Sequence, residues 1–257
     1  MRHATPPADS VTSNPRAARG IRHASAPAPR LTSYPRRRAV ARGRGRPVLL
    51  FDLNGTLTDP GAIGAVWDLP ELGARTLARA VQTALVDTIL GESRPFTAHI
   101  EAGLRDEVAR RGLDAGLIED ALAAAAALPA FADVGPALEA LAGAGHRLAV
   151  LTNSGADAGR RTLEANDLAS RFHRILGVDA VGVFKPHPAT YAYALRELGC
   201  EPKRVTFVSA HGWDLAGAAH AGMRTALVMR DERPSKAHPR PDIEAADLRE
   251  LAAVVSA

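Results

Sequence analysis

The stretch Pro47-Val-Leu-Leu-Phe-Asp-Leu-Asn-Gly-Thr-Leu-Thr-Asp59 decides how the chain is read. Residues 47–51 form a short, continuous apolar run, the pattern of a strand buried on both faces of a parallel sheet. Asp52 follows it directly, where a parallel strand delivers side chains to a ligand crevice. Downstream, helical and strand patterns alternate. "VGPALEALAGAG" reads as a helix, "HRLAVLTNS" as a strand, "GRRTLEANDL" as a helix and "FHRILGVD" as a short strand. "HPATYAYALRELG", "RVTFVSA", "DLAGAAHAG" and "RTALVMR" continue the alternation. Repeated βα units predict an α/β fold with a Rossmann-like parallel sheet covered by helices on both faces. The helical stretch from about residue 70 to 128 is too long for a crossover and reads as an inserted α-helical cap. The expected organisation is a core of residues 47–61 and 129–257, a cap over 62–128 and a separate tail over 1–46.

The charge supports that division. Residues 1–46 hold eleven arginines against one acid, a net +10, whereas the remaining 211 residues carry twenty-one basic and twenty-seven acidic groups, a net −6. The tail is rich in Pro, Ser, Ala and Arg and lacks apolar periodicity, so it is expected to be disordered. "PRRRAVARGRGRP" would contact phosphates if it met a nucleic acid, but no aromatic residues are interleaved for stacking. Nucleic-acid binding is therefore expected of the tail alone, if at all. No run reaches the ~20 apolar residues of a membrane span, and the single Cys200 forms no internal disulfide. A cytoplasmic protein is the expectation, and composition leaves a homodimer open. Aromatics make up only 4% of the chain, so Ala, Leu and Val must fill its core.

Four strand ends carry polar residues: Asp52, Asn54 and Thr56 after the first, Thr152 and Asn153 at the second, Lys185 after the third, and Ser209, His211 and Asp214 after the fourth. Four sets at the carboxyl ends of strands define a candidate site. In this order "FDLNGTLTD", "LTN", "FKPHP" and "VSAHGWD" resemble the four motifs of the haloacid dehalogenase superfamily, over residues 47 to about 232. The likeness is greatest to the L-2-haloacid dehalogenases, through Lys185-Pro186 with Tyr191 and through Ser209 with Trp213 and Asp214. The resemblance implies Asp52 as nucleophile, Lys185 as its charge partner, and Thr56, Ser209 and Asp214 as further catalytic groups. It also implies Thr152, Asn153 and Asn54 around the substrate, Tyr191, Trp213 and His211 in the pocket wall, and a halide-binding cap arginine. Arg79, with Arg75 beside it in "ARTLARAVQ", is the expected one.

Asn54 separates two chemistries within this superfamily. Phosphatases place there an aspartate that protonates the departing alkoxide, a contribution of roughly 10²–10⁴-fold. Asparagine does not titrate, and a halide leaves without a proton. The position of a magnesium ligand, aligned on Asp214, is Ala210. The expectation is hydrolytic dehalogenation of short 2-haloalkanoic acids through an aspartyl ester, with no metal and no organic cofactor. The rivals are a magnesium-dependent phosphatase of the same superfamily and a weakly catalytic binding protein with a nucleic-acid-binding tail.

Overall fold

A computed structural model describes residues 47–230 and 235–257. The expected disorder and nucleic-acid contacts of residues 1–46 lie outside the described residues. Six strands form one sheet: β1 (Val48–Phe51), β2 (Arg147–Thr152), β3 (Arg174–Gly177), β4 (Val205–Ser209), β5 (Arg224–Val228) and β6 (Ile243–Ala245). Their order is β3-β2-β1-β4-β5-β6 and every pairing is parallel. The α/β, Rossmann-like expectation is borne out. The short β6 and the helix after it, α9 (Leu248–Ser256), were not anticipated beyond "RTALVMR".

Strand β1 lies in the middle of the sheet, paired with β2 on one side and β4 on the other. Because β2 continues outward to β3 and β4 outward to β5, strand order reverses beside β1. A crevice must open there at the carboxyl ends. All four β1 residues are buried, and their side chains alternate between two cores. Leu49 and Phe51 pack with α5 (Val134–Gly143) and α9 (Leu248–Ser256), while Val48 and Leu50 pack with α7 (Pro188–Leu198) and α8 (Gly212–His220). Helix α6 (Ala156–Glu164) joins β2 to β3. The crevice thus sits on a backbone fixed from both faces.

Between β1 and α5 the chain forms α1 (Gly61–Gly64), α2 (Glu71–Leu90), α3 (Phe96–Arg111) and α4 (Ile118–Ala126). These helices enclose an apolar cluster of their own, built on Ile63, Leu72, Leu104, Val108, Ile118 and Leu128. A second cluster joins Leu77, Ala80, Phe96 and Ile100 to Val178 and Phe184 of the sheet-bearing part. The outgoing and returning segments are pinned together: the Asp59 N–H donates to Pro129 O at 2.8 Å, and Phe131 N–H to Leu57 O at 3.1 Å. No helix among the described residues is long and apolar enough to cross a membrane.

Candidate active site

Asp52 stands at the carboxyl end of β1, 5% exposed, its N–H donated to Val208 O of β4 at 2.9 Å. The loop after it turns through Gly55 at φ +82°, where a Cβ would lie 2.7 Å from the His211 ring. Glycine therefore meets two demands at once, left-handed backbone and close approach. The turn returns Thr56 beneath the carboxylate. The Thr56 hydroxyl donates to Asp52 Oδ2 at 2.8 Å and accepts from the Ala210 N–H at 2.9 Å.

The other carboxylate oxygen meets Lys185. Its Nζ donates to Asp52 Oδ1 at 2.7 Å, to Asp214 Oδ2 at 2.6 Å and to Leu151 O at 3.1 Å. An ammonium has three donors, and all three are used. Lys185 is only 1% exposed, so each contact replaces a lost water. Its loop is anchored on both sides: the Lys185 N–H donates to Asn153 Oδ1 at 2.9 Å and the Phe184 N–H to Thr88 Oγ1 of α2 at 3.1 Å. Asp214, in the first turn of α8, is fully buried. Its Oδ1 accepts from the Tyr191 hydroxyl at 2.5 Å, so both of its oxygens accept, as an ionised carboxylate's should.

Burial acts on all three ions and the neighbours decide the outcome. Burial pushes the Asp52 carboxyl up, but the Lys185 ammonium outweighs it, assisted by His211 and the Thr56 hydroxyl, and holds Asp52 below the ordinary aspartate value. Burial pulls the Lys185 ammonium down, yet the carboxylates of Asp214 and Asp52 carry it above the ordinary lysine value. For Asp214, burial raises the carboxyl; Lys185 opposes this and the nearby Asp52 charge reinforces it, leaving the net direction upward. The arrangement keeps Asp52 ionised at neutral pH.

Above Asp52 lies a cavity of about 430 Å³ between the strand ends and α2. Asn54, Thr152, Asn153, His211 and Trp213 all line it. The Thr152 hydroxyl accepts from Ser154 N–H at 3.1 Å, which leaves its own proton for a ligand. The Asn153 oxygen is taken by Lys185 N–H, which leaves its NH₂ group as a donor. The Asn54 oxygen accepts from the Thr58 hydroxyl at 3.2 Å, and His211 Nε2 lies 3.1 Å from Asn54 O and 3.8 Å from Asp52 Oδ2. The His211 and Trp213 rings stack at 5.6 Å.

Two expectations require correction. Arg79 does not reach the cavity: it is turned toward α3, where it pairs with Asp106 at 3.3 Å. Arg75, one helical turn earlier, lines the cavity and has no ion-pair partner among the described residues. Tyr191 is no pocket wall. It is wholly buried behind Asp214, which it holds by hydrogen bonds to the carboxylate and to the main-chain oxygen. Ser209, wholly buried at the end of β4, accepts the His211 N–H at 3.0 Å.

Sequence reasoning missed Arg230, Phe96 and Phe131, which also line the cavity. Arg230, two residues beyond β5, donates to Thr56 O at 3.1 Å, pairs with Asp133 at 3.0 Å and lies over the Phe131 ring at 4.0 Å. The arginine ending the quoted run "RTALVMR" was the available signal, but only a long side chain spans from that strand to the β1 loop.

A family profile described as haloacid dehalogenase-like hydrolase matches residues 47–222. (S)-2-haloacid dehalogenase 4A of Burkholderia cepacia is 28% identical over 194 residues, 72% of this chain and 84% of its own length. (S)-2-haloacid dehalogenase 2 of Pseudomonas sp. (strain CBS-3) is 27% identical over 214 residues, 79% and 93% of the two chains. A crystal structure of a dehalogenase with an intermediate complex superposes with a TM-score of 0.77 at 26% identity, covering 83% of this chain and 98% of that one.

Proposed function

The chain belongs to the haloacid dehalogenase-like hydrolases, and from that premise we propose that it hydrolyses the carbon–halogen bond of 2-haloacids, with Asp52 as nucleophile. The carrying observation is the carboxylate of Asp52, held ionised by a fully buried lysine at the floor of a largely apolar cavity. An Asp52 oxygen attacks C2 opposite the halogen, the carbon–halogen bond breaks, and halide leaves with the bonding pair. Water then adds to the Asp52 carbonyl carbon of the resulting ester. The ester carbon–oxygen bond breaks, and the 2-hydroxy acid departs carrying an oxygen from Asp52, with C2 inverted. One proton is released overall.

Each neighbour has a part in this scheme. Lys185 offsets the charge that collects when a carboxylate substrate approaches a carboxylate nucleophile. Thr152 and Asn153 offer donors to the substrate carboxylate, and Arg75 stands on the cap side as the cation for an anion, the leaving halide included. On the cavity side, His211 is the titratable group beside the ester. Asp214 and Tyr191 act from behind, by fixing Lys185.

The same geometry argues against the magnesium-dependent phosphatase. A magnesium ion demands near-octahedral oxygen ligands, yet among the described residues no third His, Cys, Asp or Glu stands with Asp52 and Asp214 to hold one. An ammonium bridges them, and Ala210 offers no ligand. These residues do not fit the metal, and Asn54 supplies no acid for an alkoxide. The test is chloride release from 2-chloropropionate in excess chelator, beside phosphate release from an aryl phosphate with magnesium. The proposal expects the first and not the second; phosphate release alone would overturn it.

A further inference from the structure

The chemistry at C2 uses little of the cavity. A nucleophile, a carboxylate and a halide occupy only the strand-end floor and the Arg75 side. A volume of about 430 Å³ falls within the ~300–1,000 Å³ of pockets that enclose drug-sized ligands, more than a haloacid of two or three carbons fills. The rest is apolar by construction. Helix α2 turns Ala74, Ala78 and Val81 toward it at three- and four-residue spacing, one face of a helix, and Phe96, Phe131 and Trp213 supply aromatic surface. Alanines at 74 and 78 leave open the space that larger side chains would close.

The charges narrow the class further. Arg230 lines the cavity but is already paired with Asp133 at 3.0 Å and spent on Thr56 O. Arg75 remains as the one cavity cation without an ion-pair partner among the described residues. A second carboxylate on the substrate would find no cation of its own. The third substituent at C2 is therefore met by apolar and aromatic walls, which favour ring edges and faces over charge.

We infer that the substrates are monoanionic 2-haloacids with a large apolar substituent at C2, an arylmethyl group above all, in place of the short 2-haloalkanoates expected from the sequence. This rests on the dehalogenase reading and specifies the substrate class of the same site.

The experiment measures kcat/KM for chloride release by the full chain from 2-chloropropionate and from 2-chloro-3-phenylpropionate. One well-packed methylene is worth roughly 10–200-fold in such a comparison, so the aryl substrate should be favoured at least about tenfold. Ala78→Phe, or Ala74→Phe should the first variant fold poorly, should bring that ratio to about one or reverse it, since either ring fills the apolar wall. Equal or faster turnover of 2-chloropropionate by the unaltered protein would overturn the inference and leave the dehalogenase reading intact. An aryl preference unmoved in a folded variant would also overturn it, because the α2 face would not be the determinant. Chloride from neither substrate would overturn the dehalogenase reading and this inference together.

Discussion

At Lys185, the balance of charge on one side chain decides whether the site holds together. Three buried groups share one positive charge, and the pKa directions fix the pH range over which the Asp52–Lys185 contact stabilises the fold. Asp52 is depressed, so its contribution is full above the ordinary aspartate value of 3.8 and is lost as pH falls through the depressed one. Lys185 is raised, so its contribution is full below the ordinary lysine value of 10.5 and is lost as pH rises through the raised one. Replacing Lys185 by Met strands two buried carboxylates. Breaking a buried pair in this way costs about 3–5 kcal/mol, and burial with mutual repulsion then lifts both carboxyl pKa values. A group whose folded pKa is raised gains stability as pH falls through it. Urea unfolding of Lys185→Met should show a large deficit at neutral pH that shrinks as pH falls and the buried carboxyls take up protons. A deficit independent of pH would mean that the carboxylates do not depend on this cation. Lys185 was legible from the sequence because it follows a strand end in a chain with few lysines. Its second carboxylate partner was expected from the resemblance, but its buttress was not.

That buttress belongs to the packing of α7 on α8. Tyr191 points from α7 at the first turn of α8, where its hydroxyl meets Asp214, and it fits because residue 217 has no side chain. A Cβ on Gly217 would lie 2.5 Å from the Tyr191 oxygen. Gly217→Ala should therefore cost about 1–3 kcal/mol by overpacking and, on the proposed mechanism, lower kcat more than it raises KM, since the disturbed groups lie behind Asp52 and not in the cavity above it. Adding Tyr191→Phe should recover part of the stability and none of the lost rate. Full recovery of rate would show that the tyrosine hydroxyl is dispensable. The resemblance placed Tyr191 near Lys185 but turned it toward the pocket, because a residue near a motif either lines a pocket or supports its wall and the sequence alone does not distinguish the two. Arg79 failed for a related reason: one turn of α2 rotates a side chain by about 40° from its predecessor four positions earlier. That rotation carries Arg79 off the cavity face that Arg75 occupies.

For the whole molecule, the sheet order explains why so much of the floor was readable. Continuous apolar runs announce buried parallel strands, and polar residues that end them converge wherever strand order reverses. Asp52, Thr152, Asn153, Lys185, His211 and Asp214 are all brought together by that rule. The cavity walls were less readable, because they depend on the rotation of α2 and on Phe131 and Arg230, residues remote in sequence whose meeting is decided by packing between elements. The proposed function stands or falls on Asp52 carrying the substrate covalently. It is tested most directly by a single turnover of a 2-haloacid in ¹⁸O-labelled water with enzyme in excess, followed by mass spectrometry of the Asp52 peptide and of the product. Covalent catalysis by Asp52 should leave label in its carboxylate and an unlabelled 2-hydroxy acid, because water enters at the ester carbonyl. Label in the hydroxy acid, with Asp52 unlabelled, would show that water displaces the halide itself and that Asp52 is not the nucleophile.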